Sequence, residues 1–202
     1  MITLNDAIVE VLKALGVRQV FGVSGANIEH LHDSIFRRGG SKLSAVLAKS
    51  ESGAAFMADG LARSQNTLGV CCSTSGGGMM NMAVGLAESY ADRVPILALI
   101  GQPPDTLAGL GAFQDSSGRG RSLDAYKLFS AMSAFVKVFD STTDFWSTMT
   151  EAIQRATSLP KGPAVLLIPR NRWETPVSRD ENELNDQISI IINRLQAQGK
   201  ES

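Results

Sequence analysis

Histidine, cysteine and bulky aromatic residues are scarce in this chain, with two each of His, Cys, Trp and Tyr among 202 residues. The cysteines, Cys71 and Cys72, are adjacent in an apolar segment. Strand neighbours point to opposite faces, which disfavours joint metal binding and makes buried reduced thiols the expectation over redox chemistry. His30 and His32 lie two apart on a predicted helix, do not share a face, and are expected at the surface or partly buried rather than in catalysis. An excess of either charge is also missing: 19 basic residues face 20 acidic ones, interspersed, for a net charge of -1. Nothing here fits nucleic acid or an anionic membrane. No apolar run is long enough to cross a bilayer, and the first residues lack the basic, apolar and cleavage segments of a secretion signal. The expected location is the cytoplasm.

Apolar residues make up 44% of the chain, enough to bury a substantial core. Strand-like runs at 19–23, 43–47, 68–73, 95–100, 135–139 and 164–168 alternate with helical ones at 3–15, 27–36, from 51, 78–90 and 142–158. Thr3 with Asp6 three residues on reads as a relative of the capping box, and Gly16 as a stop. Continuous apolar strands alternating with helices predict a doubly wound α/β fold, its mainly parallel sheet covered on both faces. Two stretches break the rhythm. Residues 103–128 form a long Pro-, Gly- and Ser-containing loop, and such loops are usually functional or mobile. Beyond 170 the chain turns charged, with a helix predicted at 180–198; the expected division is a domain at 1–170 and an extension at 171–202.

Glu51 opens a helix in the run Ser50-Glu51-Ser52-Gly53-Ala54-Ala55-Phe56-Met57-Ala58. Small residues on one side of that helix let another surface approach and exclude water from the acid, and a carboxylate with little water suits proton exchange with a ligand nitrogen. Complementing the positive end of the helix is the plainer role. Ligands in such folds sit beyond the carboxyl ends of the strands. Ser24-Gly25, Glu51, Thr74 to Asn81 and Gln102 all follow strands. Gly76-Gly77-Gly78 could present amides to a phosphate, but the turn does not fit Gly-x-Gly-x-x-Gly and no Walker pattern occurs.

Val20-Phe21-Gly22-Val23-Ser24-Gly25-Ala26, the Glu51 run, Thr74-Ser75-Gly76-Gly77-Gly78-Met79-Met80-Asn81, Val94 to Gln102 and Gly111-Ala112-Phe113-Gln114-Asp115 stand in that order. Together they resemble the pyrimidine-binding (PYR) domain of thiamine-diphosphate enzymes, most closely the acetolactate synthase branch, from about Leu4 to Pro169. The resemblance implies that Glu51 hydrogen-bonds the ring nitrogen of the cofactor's aminopyrimidine and so activates the ylide that attacks a 2-oxo acid. It implies cofactor contacts at Gly25, Thr74 and Asn81, a substrate region at Phe113 and Gln114 with Gln114 catalytic alongside Glu51, and a loop-anchoring role for Gln102. Tight turning at Gly25, capping by Thr74 and Asn81, and plain packing of Phe113 and Gln114 are the alternatives.

The chain departs from that pattern in several places. Ser50 precedes the glutamate where the family often has histidine. Ser24 and Gly77 replace loop prolines, which frees those turns in the unfolded state. Arg170-Asn171 replaces an acidic residue. The paired histidines of the pyruvate decarboxylase branch are absent. No Gly-Asp-Gly occurs, although in the family that signature marks the separate domain that holds Mg2+ and the diphosphate (PP domain). The resemblance therefore implies a split carboligase or 2-oxo acid decarboxylase, with this chain as an alpha-type subunit, a partner subunit supplying the PP domain, and an alpha2beta2 assembly. Ala54, Ala55, Ala58 and Ala62 with Gly78, Met79, Met82 and Ala83 are the candidate interface, with ordinary helix–sheet packing as the alternative. Sulfopyruvate or phosphonopyruvate decarboxylase alpha subunits, or a non-catalytic interaction subunit, are the alternative readings.

Overall fold

The computed structural model describes residues 1–198. Helix α1 (Leu4–Ala14) leads to strand β2 (Gln19–Gly22), α2 (Glu29–Arg38), β3 (Ser44–Leu47), α3 (Glu51–Gln65), β4 (Gly69–Ser73), α4 (Gly77–Ala91) and β5 (Ile96–Gln102). After a long loop follow α5 (Ala125–Ser130), β6 (Phe135–Val138), α6 (Phe145–Thr157), β7 (Pro163–Pro169) and α7 (Glu181–Gln198). Strands β1 (Ile2–Thr3) and β8 (Pro176–Ser178) pair antiparallel beside the main sheet. The main sheet is parallel throughout, in the order β3-β2-β4-β5-β7-β6. The expected doubly wound α/β fold is thus present. Among the described residues no helix is long and apolar enough to cross a membrane.

Two-residue periodicity divides the core. Val70, Cys72, Leu97, Leu99, Leu166 and Ile168 pack toward α1, α2, α6 and α7. Their neighbours Cys71, Ile96, Ala98, Ile100, Val165 and Leu167 pack toward α3, α4 and α5. Every residue of β4, β5 and β7 is buried, which is why those strands read as unbroken apolar runs. Truncating a central side chain such as Leu97 to alanine would cost about 2–5 kcal/mol. The cysteines lie on opposite faces, free and buried. Burial pushes the Cys72 thiol up to about 12 and Cys71 higher still, so neither is a nucleophile at neutral pH.

Several local expectations need correction. Thr3 stands at the N-cap of α1, but its hydroxyl donates to Asn5 Oδ1 at 2.6 Å and caps nothing. Asp6 instead accepts from Ser34 and pairs with Arg37 at 2.8 Å, tying α1 to α2. The loop after β5 contains α5, capped by Asp124, which accepts from the Lys127 amide at 2.9 Å. The segment after β7 is anchored: Trp173 is fully buried and donates to Asn27 O at 3.0 Å, and Leu184 and Ile191 of α7 join the core.

His32 is partly buried against β4, with Nε2 3.6 Å from Cys72 Sγ and Nδ1 unpartnered. Burial holds its imidazole below the usual range. The unfolded chain titrates near pH ~6.5 and binds more protons than the fold below that value. Stability from the neutral ring is therefore complete above that pH and lost as the pH falls toward the depressed folded value. Urea unfolding at steps below pH 6.5 should show this loss in the wild type and a flatter profile in His32→Gln. Parallel profiles would rule it out.

Candidate active site

Glu51 is the first residue of α3. Ser50 caps the helix, its Oγ accepting from the Gly53 amide at 3.1 Å, which fixes where the helix starts and where Glu51 projects. One carboxylate oxygen, Oε2, accepts from Asn81 Nδ2 at 2.8 Å. Oε1 has no donor among the described residues and lies over the first turn of α4, 3.1 Å from where a Cβ on Gly78 would stand. A side chain at 78 would also press on Ser73 Oγ (2.8 Å) and Thr74 Cγ2 (3.0 Å). The acid therefore sits where the N-termini of α3 and α4 meet, and both helix ends favour negative charge there.

Thr74, at the end of β4, connects this corner to two loops. Its hydroxyl accepts weakly from the Asn27 amide (3.4 Å), and Asn27 Nδ2 donates to Ser75 Oγ at 2.8 Å. Gly25 is packed so tightly that a Cβ would fall 2.7 Å from Thr74 Cβ. From the other side comes Gln114, held at a φ of 59° that few side chains adopt. Its Oε1 is 3.5 Å from Thr74 Oγ1, and its Cβ lies 2.8 Å from the position a Cβ on Gly76 would take. Gly76 turns into α4 with a φ of 63°. These contacts gather at the β2–β4 boundary of the sheet, where the chain reverses its order of strand addition, the usual ligand crevice of such folds.

The rest of the loop is pinned near this crevice. Gln102 accepts from buried Ser116 Oγ, and Asp115 accepts from the Gly109 and Ser117 amides. Asp105 binds Asn171 and Arg172. Burial alone would raise its carboxyl, but those two side chains outweigh burial and hold it below its ordinary range. Arg170 pairs with Glu29 across to α2.

Across residues 2–120 the chain matches the family described as thiamine pyrophosphate enzyme, N-terminal TPP binding domain. The chain belongs to that family. Its relatives include a probable acetolactate synthase large subunit of Methanocaldococcus jannaschii, 34% identical over 82% of this chain. An acetolactate synthase of Arthrospira platensis is 35% identical over 82% of it. The acetolactate synthase isozyme 3 large subunit of Escherichia coli is 34% identical over 85%. The chain spans only 26–28% of the length of these relatives.

For a TPP-binding domain the corner suits the pyrimidine half of the cofactor. Oε1 of Glu51 is available to a ring nitrogen, and closely packed glycine turns keep side chains from crowding it. Among the described residues no three His, Cys, Asp or Glu are grouped to hold a metal. Glu51, Asn81, Thr74, Gly25 and Gln114 converge through Gly78 and Gly76. Phe113, next to Gln114 in the loop, is 80% exposed. Neither Thr74 nor Asn81 caps a helix, since Gly76 holds the N-cap of α4. Sequence reasoning missed the roles of Gly76, Gly78 and Asn27; the glycine run was visible, its neighbours were not.

The expected interface is wrong. Ala54, Ala55, Ala58, Ala62, Met79, Met82 and Ala83 are all buried inside the chain, where α3 packs on α4 and the sheet. Gly85 makes this possible, because a Cβ there would lie 2.5 Å from Ala55 Cβ. Nor does the alanine stripe keep water from Glu51, which remains partly exposed.

These contacts distinguish two helical glycines. Gly78→Ala should destabilise the fold by about 1–3 kcal/mol through crowding. Gly60→Ala, with nothing within 4 Å of the new Cβ, should stabilise it by about 1 kcal/mol. Chemical denaturation of both variants reads the difference, and equal shifts would refute the crowding at Gly78.

Proposed function

We propose that this chain is the PYR-domain subunit of a two-component thiamine-diphosphate-dependent carboligase or 2-oxo acid decarboxylase of acetolactate synthase type. The carrying observation is the Glu51 carboxylate, held through one oxygen by Asn81 and offering the other at the mouth of the β2–β4 crevice. In this reading Glu51 holds and returns a proton at the pyrimidine ring nitrogen. Asn81 fixes the carboxylate's rotation, so that the free oxygen keeps one direction. Gly25 and Thr74 shape the wall on which the ring lies. Gln114, at the tip of the pinned loop, presents its amide on the substrate side. The bound cofactor supplies the nucleophilic carbon for a 2-oxo acid and stores the electron pair released on decarboxylation.

A second polypeptide would supply the PP domain, Mg2+ and the diphosphate contacts, in an alpha2beta2 assembly. The surface that supports this reading is not the alanine stripe but the outer face of α3 and α4. There Phe56, Met57, Met80 and Val84 are exposed, the last to 60%. This apolar face is continuous with Asn81 and Glu51 on the same two helices, so a partner seated on it would also close over the acid. Relatives of this domain carry most of their length in further sequence, the source of such a cover.

Two measurements test the proposal. In a mixture of this chain, its co-purifying subunit, thiamine diphosphate and Mg2+, carbon dioxide release from 2-oxo acids should appear, and Glu51→Gln should lower it by about 10²–10⁴-fold. Full activity in that variant sinks the role of Glu51. Val84→Glu should leave the isolated chain folded but weaken its complex at least about tenfold by size-exclusion or calorimetric titration. Undiminished assembly would show that the α3–α4 face is not the docking surface.

A further inference from the structure

At the opposite end of the sheet from Glu51, a cleft of about 500 Å³ opens between the end of α4, the entrance to β6 and the turn from α6 into β7. Its size falls in the range of small-molecule sites, about 300–1,000 Å³. Arg93, Arg155 and Lys161 line it, and no carboxylate does. Arg37, Arg38, Arg63, Arg170 and Arg172 form ion pairs, while among the described residues Arg18, Arg119, Arg121 and Arg194 stand unpaired but scattered. Among the described residues the three cations of the cleft form none. Arg155 makes only a long bond to Ala134 O, at 3.4 Å. The acid next to Arg93 in sequence, Asp92, is already held by Arg63 at 2.7 Å.

Three like charges facing one space repel, and a ligand carrying two or more negative charges relieves all three at once. The walls are not purely polar. Tyr90, Leu159 and Pro160 also line the cleft, giving a flat group apolar surface beside the cations. Arg93 itself is held at a φ of 58°, a conformation costly for a residue with a side chain.

We propose that this cleft binds a phosphorylated small molecule of nucleotide size, its phosphates among Arg93, Arg155 and Lys161 and its ring against Tyr90. The site is separate from the Glu51 corner, about 20 Å away along the 15 residues of α4. It does not depend on the function proposed above. Yet α4 carries Gly78 and Asn81 at one end and Tyr90 near the other, so a ligand here touches the helix that positions the acid.

The probe is ADP, titrated into the full chain at low ionic strength and followed by amide chemical shifts. Saturable shifts at 90–93, 133–134 and 155–162, with a Kd below about 1 mM, are expected. Combining Arg93→Gln, Arg155→Gln and Lys161→Gln should weaken binding at least about tenfold without lowering the Tm, since Arg93 and Arg155 are exposed and Lys161 is partly exposed. Glu51→Gln should bind like the wild type. An absence of saturation, unchanged affinity in the triple variant, or shifts centred on Gly25, Thr74 and Gly78 would overturn the proposal.

Discussion

The hydrogen bond from Asn81 to Glu51 is the interaction on which the site depends. It joins the second turn of α4 to the first residue of α3, so the acid's direction is set by how the two helices pack. That packing is unusually close because alanines on α3 meet Gly85 on α4, and a single added methyl at 85 would fall 2.5 Å from Ala55. The small residues fix the spacing of the two helix N-termini, and the spacing places the carboxylate. A surface bond of this kind contributes about 1 kcal/mol or less to folding. Its value lies in orientation, leaving one oxygen satisfied and the other committed to a single direction.

The same principle governs the loops around the acid. Gly25, Gly76 and Gly78 are places where backbone passes where a side chain would collide. Through them the connections after β2 and β4, and Gln114 of the connection after β5, reach one corner. Gln114 pays for its position with an unfavourable φ, and the buried bond from Ser116 to Gln102 and the amides on Asp115 hold the segment that imposes it. Strain of order 1–3 kcal/mol persists only where the surroundings over-determine the backbone. Here those surroundings are visible, residue by residue.

Much of this was legible from residues alone, and the failures have physical causes. Strands β4, β5 and β7 announced themselves because burial on both faces removes polar alternation. Glu51 does open a helix, because Ser50 caps it and the alanines beyond favour helix. Strands β1 and β8 were invisible, since two or three residues carry no period. Helix α5 was hidden by its brevity inside a loop rich in glycine and serine. Ala54, Ala55, Ala58 and Ala62 do mark a close-packing face, but spacing cannot say which neighbour approaches. The partner was α4 of the same chain, and Gly85 was the overlooked sign. Contacts through Gly76 and Gly78 join residues tens of positions apart, which no local pattern encodes.

Correcting that interface sharpens the functional argument. With the alanine stripe buried inside the chain, the isolated domain leaves Glu51 partly in water. Hydrogen bonds strengthen when water is removed around them, and proton exchange with a ring nitrogen is most effective when bulk water cannot compete. The structure leaves Met80 and Val84 exposed on α4, one before and three after Asn81 in the chain, and Phe56 and Met57 exposed on α3, between one and two turns beyond the acid. A surface that buried those four would dry the carboxylate without touching it. Under the proposed function, the role of Glu51 and the exposed face of α3 and α4 become one requirement: the fold aims the acid, and a partner seated on that face would complete its surroundings.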